Sequence, residues 1–236
     1  MCGIAGVLEM SGTRASPPAR IAELGHMIDL IGHRGPDEAG TFIDDRAAMA
    51  VARLSINDLE HGQQPMGDPD QRFWIVYNGE IYNHLELRAE LGNRGHRFQT
   101  RCDTEVALRA WMEWGEEAPA HFEGGYAFVV YDRSERAAFL VRDRFGKRPL
   151  FYCTHGDTVV FASEIKALLA RADLPLSWDA QGLASIFAKW TPFGVETPFQ
   201  GVRQVLAGTT VRVSERGLAQ HIYVDLTLPL NTKNAP

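Results

Sequence analysis

At 236 residues, the chain is long enough to bury a sizeable core as one large or two small domains. Its 45% hydrophobic and 23% charged content is ordinary for a soluble globular protein, and a formal charge of −6 argues against a nucleic-acid binder, which needs a basic excess. No run approaches the ~18 apolar residues of a membrane span and no secretory signal opens the chain, so the expected location is the cytoplasm, with neither membrane nor nucleic acid as a partner. The 3 cysteines form no CxxC pair and the 8 histidines no HExxH or HxH pair. A disulfide framework, a metal site and a cofactor are therefore not expected.

The chain begins Met1-Cys2-Gly3-Ile4-Ala5-Gly6. Clipping of Met1 before a small residue would make Cys2 the N-terminus, with a thiol and a free α-amine on one residue. Nucleophile and base then arrive together. The amine has a reference pKa of about 8, so part of it is unprotonated near neutrality. The plainer alternative is that position 2 is only a small residue that processing enzymes tolerate.

Beyond it, apolar runs bounded by Gly, Asp or Pro predict strands at Ile4–Leu8, Ala47–Ala52, Phe73–Tyr77, Tyr126–Tyr131, Ala137–Val141, Pro149–Cys153, Val159–Ala162 and Thr209–Val213. Several are continuous rather than alternating, which suggests strands covered on both faces. The runs at 127–131 and 137–141, joined by Asp132–Arg136, predict an antiparallel hairpin. Three- and four-residue apolar spacing predicts helices at Pro18–Ile31, His84–Asn93, Asp103–Trp114, Ser163–Ala170 and Asp179–Trp190. Strand runs mixed with helical pairs and hairpins suit a layered α+β fold.

Several residues carry two readings at this stage. Asn78-Gly79 alone is a two-residue hairpin turn, or a pair of donors for a developing oxyanion. Asp103 opens a helix and reads as an N-cap. Arg53 is a surface arginine at a strand end, or a planar fork for a carboxylate. Arg142 to Arg148 reads as a strand end and turn with an internal Asp143–Arg pairing. Trp111 and Trp114 fit the buried face of a helix. Gly146-Lys147-Arg148 is no phosphate-binding loop, because the upstream glycine is absent.

The segments His33-Arg34-Gly35-Pro36-Asp37, Arg53-Leu54-Ser55-Ile56, Asn78-Gly79-Glu80-Ile81-Tyr82-Asn83, Asp103-Thr104-Glu105, Arg142-Asp143-Arg144-Phe145-Gly146-Lys147-Arg148-Pro149-Leu150 and Ala162-Ser163-Glu164-Ile165-Lys166-Ala167-Leu168 follow one another in a telling order. Order and spacing resemble the glutaminase domain of class II, N-terminal-nucleophile (Ntn) glutamine amidotransferases, most closely the asparagine-synthetase branch. The resemblance covers about Cys2 to Leu226. It implies a four-layer αββα fold with two stacked antiparallel sheets, a glutaminase domain over 1–226 and a tail or linker over 227–236. It also implies hydrolysis of the L-glutamine side-chain amide through a Cys2 thioester, with Asn78 and Gly79 at the oxyanion. Arg53 would read the α-carboxylate, with backbone from Leu54, Ser55, Ile56 and Asn57 lining the pocket, and Asp103 with Glu80 would read the α-ammonium. His33 to Asp37 would support the site structurally.

Two positions depart from the usual pattern: Gly125, where many members carry Met or a larger residue, and Cys102, where a small polar residue is commoner. The SGGxDS-type pyrophosphate loop of the ATP-using synthetase domain is also absent. The expectation is therefore a separate glutaminase subunit, or a domain of a longer protein, that delivers ammonia to an ATP-dependent synthetase subunit or domain; a homo-oligomer is compatible with it. Trp190-Thr191-Pro192-Phe193 and Pro198-Phe199 offer apolar loop surface for docking, or for ordinary packing. Two alternatives stand beside this reading: an Ntn amidohydrolase acting on another amide, and a non-catalytic or regulatory subunit of the same fold.

Overall fold

The computed structural model describes residues 1–12, 17–171, 174, 177–190 and 194–225. The expected tail at 227–236 and residues 191–193 of the apolar loop lie outside them. In chain order the elements are β1 (Gly3–Glu9), α1 (Pro17–Ile31), β2 (Glu38–Ile43), β3 (Ala47–Arg53), β4 (Met66–Gly67), β5 (Phe73–Ile81), α2 (His84–Asn93), α3 (Asp103–Trp114) and β6 (Gly124–Asp132). They continue with β7 (Ala137–Arg142), β8 (Phe151–His155), β9 (Thr158–Ala162), α4 (Ile165–Leu168), α5 (Ala180–Lys189), β10 (Val202–Gln204), β11 (Thr209–Ser214) and β12 (Gly217–Ile222).

The strands form two antiparallel sheets, ordered β10-β8-β9-β1-β3-β2 and β12-β11-β7-β6-β5-β4. Their inner faces meet in one core, with Ile4, Leu8, Met49, Val51 and Phe161 from the first sheet against Val76, Val129, Leu140 and Val211 from the second. Helices α1 and α4 cover the outer face of the first sheet through Leu24, Met27, Ile31 and Leu168. Helices α2 and α3 cover the second through Leu87, Leu91, Val106 and Trp111. The order helix, sheet, sheet, helix is the four-layer arrangement expected from the resemblance. Sandwiching explains the continuous apolar runs: every residue of β1 and of β3 is buried, so neither strand has a polar face to alternate with. Among the described residues no helix is long and apolar enough to cross a membrane.

The predicted hairpin forms between β6 and β7, with Asp132 opposite Ala137. Other elements differ in extent. Strand β5 runs on through Ile81, and α4 is a single turn where a longer helix was expected. Strands β2, β4, β10 and β12 had no apolar signature because they lie at or beside sheet edges and carry half-exposed or exposed residues. Trp190 ends α5 in a left-handed conformation and is exposed, while Phe199 stacks on Trp178 with ring centroids 5.0 Å apart.

The basic run after β7 is a strand end and turn, but its internal pairing is not between side chains. Buried Asp143 accepts four backbone N–H groups: Phe145 and Lys147 on Oδ1, each at 3.0 Å, and Tyr126 and Arg148 on Oδ2 at 3.2 and 3.0 Å. Arg142 works in the opposite sense, donating to the carbonyls of Gly146, Arg148 and Val205 at 2.7–2.8 Å. A reversing loop cannot satisfy its own backbone in a ladder, so these two side chains do it instead. Replacing Asp143 by Ala removes the buried acceptor of four backbone donors at once, and a loss of about 3 kcal/mol is expected in urea unfolding.

Candidate active site

Antiparallel pairing brings the start of β1 beside the end of β3, with Gly3 opposite Ala52, so Cys2 and Arg53 become neighbours. Stacking of the sheets sets β5 across from them, and the first turn of α3 closes the side. The cleft so formed is small, about 80 Å³ in volume. Its wall includes Cys2, Arg53, Leu54, Ile56, Asn57, Asn78, Gly79, Glu80 and Asp103. Of the residues singled out from sequence, Ser55 alone is not in the wall. Its backbone N–H is held by Asp37 Oδ2 at 2.8 Å, and its hydroxyl is buried without a partner.

Asn78-Gly79 is not a hairpin turn. Both residues lie inside β5, paired with Ala127 and Tyr126 of β6. Side chains alternate along a strand, so Asn78 shares the inner face with Val76, while Tyr77 points to the helices. The Asn78 side chain is 1% exposed, and neither its Nδ2 nor its Oδ1 has a hydrogen-bond partner. Glycine at 79 answers to close approach rather than to an unusual φ: a Cβ there would lie 2.5 Å from the Tyr126 Cα.

The backbone of β5 alternates as well. Tyr82 donates to Glu123 and Arg72 accepts from Arg133, so even-numbered residues bond toward β6 and odd-numbered ones face the other edge. Strand β4 covers that edge only at Trp74 and Ile75. Farther along, Gln64 Oε1 accepts the Tyr77 N–H at 2.7 Å and Asp103 Oδ2 accepts the Ile81 N–H at 3.0 Å. The N–H of Gly79, between them, has no acceptor among the described residues.

Arg53 is 3% exposed and fixed by three bonds: Nη1 to Glu38 Oε2 at 2.7 Å, and Nη2 to the carbonyls of Asn57 and Asp58 at 3.2 and 2.9 Å. Glu38 is its cross-strand partner on β2. A guanidinium carries five donors, so capacity remains for a ligand.

Asp103 is not the N-cap it resembled; Cys102 holds that position and Asp103 is the first helical residue. Its Oδ2 takes the Tyr77 hydroxyl at 2.8 Å as well as the Ile81 N–H. Burial, reinforced by the neighbouring Asp103 charge, pushes the Tyr77 phenol well above its ordinary range, so it stays a donor. Glu80 lies exposed at the mouth. Cys102 is buried in the wall, and burial raises its thiol, leaving it a neutral lining group.

Sequence reasoning missed Gln64, Tyr77, Thr104 and Arg148, all of which line the cleft. Gln64 also donates to Thr104 Oγ1 at 3.3 Å, which ties the β3–β4 loop to α3. Local pattern carried no signal for it, because both its partners are distant in sequence.

The His33 to Asp37 segment lies behind the site. Arg34 Nε donates to the Cys2 carbonyl at 3.0 Å, while Arg34 Nη1 and His33 Nε2 engage Glu164 Oε1 at 2.9 and 3.0 Å. Partial burial would raise Glu164, but bonds from Arg34, Lys166 and His33 outweigh it and hold the carboxyl below its ordinary 4.5. A carboxyl lowered on folding stabilises the native state above its unfolded value and ceases to do so as pH falls through the folded one. The melting temperature of Glu164→Gln should therefore lie below that of the unaltered chain near neutrality, and the gap should close as pH drops below about 4.5.

Known proteins resemble this arrangement in sequence and in fold. The family described as Glutamine amidotransferase domain matches residues 1–224. Asparagine synthetase [glutamine-hydrolyzing] 1 of Bacillus subtilis is 40% identical over 185 residues, covering 76% of this chain and 28% of that protein. Asparagine synthetase B of Escherichia coli is 42% identical over 172 residues, covering 72% of this chain and 30% of its own. The chain thus spans under a third of either relative's length. Among solved structures, the glutamine phosphoribosylpyrophosphate amidotransferase of B. subtilis superposes with a TM-score of 0.67 at 19% identity, over 94% of this chain and 49% of that one, a likeness of fold.

Proposed function

The chain belongs to the Glutamine amidotransferase domain family, and from that premise we propose that it hydrolyses the side-chain amide of L-glutamine to glutamate and ammonia, with Cys2 as nucleophile. The observation that carries this reading is the Asn78 side chain, buried in the cleft with both polar atoms unpaired. An unmet buried donor or acceptor costs about 1–3 kcal/mol, so folding keeps this one at a loss that a ligand can recover. Beside it is the open N–H of Gly79. Two unpaired donors in the same cleft as a thiol suit the oxyanion of a tetrahedral intermediate.

In the proposed cycle, removal of Met1 frees the Cys2 α-amine. Glutamine binds with its α-carboxylate on the spare donors of Arg53 and its α-ammonium toward the unbonded Oδ1 of Asp103 and toward Glu80. The amine takes the thiol proton as sulfur bonds to the δ-carbon, and the carbonyl oxygen becomes an oxyanion between Asn78 and Gly79. Collapse breaks the C–N bond while the α-ammonium returns its proton to the leaving nitrogen, giving ammonia and a thioester. Water, deprotonated by the same amine, then attacks the thioester carbon and releases glutamate. A substrate held this way meets its nucleophile with much of the entropic cost already met.

The relatives named above are glutamine-hydrolysing asparagine synthetases. The partner we propose is accordingly an ATP-dependent synthetase subunit or domain that uses the ammonia. The glutaminase unit is proposed to extend over 1–226.

Cys2→Ala should abolish glutamine hydrolysis with an unchanged circular-dichroism spectrum and melting temperature; full activity in that variant removes Cys2 from the mechanism. Asn78→Ala should lower kcat by about 10²–10³ with little change in KM, because the donor acts on charge that develops in the transition state.

A further inference from the structure

The wall of the cleft holds a second guanidinium that the proposed cycle leaves unused. Arg148 lies in the loop after β7, and its backbone is fixed at both ends: its N–H donates to Asp143 Oδ2 at 3.0 Å and its carbonyl accepts Arg142 Nε at 2.8 Å. That anchoring aims the half-buried side chain into the cleft, where Nη1 rests against the Met1 sulfur. Nε is buried with no partner, and no carboxylate among the described residues pairs with this guanidinium. One methionine side chain therefore separates an uncompensated positive charge from the nitrogen of Cys2.

We infer that Arg148 is a positioning residue whose unpaired guanidinium keeps the α-amine of Cys2 in its free-base form near neutrality. The inference rests on the reading of Cys2 as an N-terminal nucleophile. The amine acts as a base only when neutral, and a nearby like charge disfavours its ammonium form.

The other charged groups around Cys2 do not supply that effect. Arg34, on the turn before β2, donates to the Cys2 carbonyl and is ion-paired with Glu164, a carboxylate it shares with His33 and Lys166, and it faces the carbonyl rather than the amine side of Cys2. Arg53 at the end of β3 is paired with Glu38. Asp103 on α3 and Glu80 on β5 are carboxylates in the same cleft and favour the ammonium. Arg148, in contact with the Met1 side chain, is the opposing charge.

The test uses the processed chain and two variants, Arg148→Gln and Arg148→Lys. The free-base fraction of the α-amine is read directly from the pH dependence of its acetylation by acetic anhydride, resolved on the N-terminal peptide by mass spectrometry. The pH profile of kcat/KM for glutamine is measured in parallel. The expected result is that Arg148→Gln moves the acid limb of both profiles upward by about one pH unit, so activity falls about tenfold near pH 6.5 and less than about twofold near pH 9. Arg148→Lys, which keeps the charge, should restore most of the limb.

A uniform fall in activity at every pH with an unmoved acetylation profile overturns the inference and leaves a packing role. A raised KM with an unmoved acetylation profile overturns it too, and makes Arg148 a reader of substrate. If the acetylation limb moves but the unaltered chain does not hydrolyse glutamine, the inference stands and the proposed function falls. An N-terminal peptide that retains Met1 overturns both.

Discussion

The site depends on one open edge. The outward N–H groups of Tyr77, Gly79 and Ile81 form a row along β5, and a sheet edge left bare invites pairing with another strand. Here Gln64 fills the first position and Asp103 the third. The middle group, the N–H of Gly79, stays free between them. The same two caps lock the loop before β4 and the start of α3 into the wall, so structural satisfaction and cleft geometry come from the same bonds.

Stacking of two sheets supplies the rest. Cys2 emerges from the first sheet and Asn78 projects from the inner face of the second, at the rim where the apolar core between them ends. Farther inside that interface the corresponding β5 position is Val76, which is fully buried. Moving one inner-face position along the strand exchanges core for cleft. Asn78 thus pays a desolvation cost without a bond in return, the usual mark of a position held for something other than stability.

Much of this was legible in the sequence, though unevenly. Continuous apolar runs at β1, β3, β6 and β9 were readable because a strand covered on both faces has no other composition open to it. Asn78-Gly79 misled as a local pattern: the same dipeptide that makes a tight turn can sit mid-strand when the partner is Tyr126-Ala127, nearly fifty positions away, and turn statistics know nothing of that pairing. Asp103 looked like a cap because its sequence position was right to within one residue, but Tyr77 and Ile81 claim its carboxylate from another sheet element. Gln64 had no signal at all, since what makes it part of the wall is tertiary, and Arg148 stood in a segment read only as a strand end and turn. The pairing expected around Asp143 failed for a related reason: the loop's unmet backbone N–H groups take the carboxylate, while Arg142 is spent on the loop's carbonyls.

The charges of the cleft make opposing demands. The proposed ligand carries an α-ammonium that needs carboxylates nearby, and Asp103 and Glu80 lie in the cleft wall. Those same carboxylates favour a protonated amine on Cys2, which cannot then accept a proton from the thiol. Arg53 does not relieve the conflict, because Glu38 already offsets it. A bound ammonium partly does, by neutralising Asp103 once the ligand arrives, which makes the amine a better base in the complex than in the empty cleft. The unpaired guanidinium of Arg148 acts in the same direction before binding. On the proposed mechanism, base strength at this terminus is set by the balance of charge around the cleft, in which a thiol and an amine on one residue are only the starting materials.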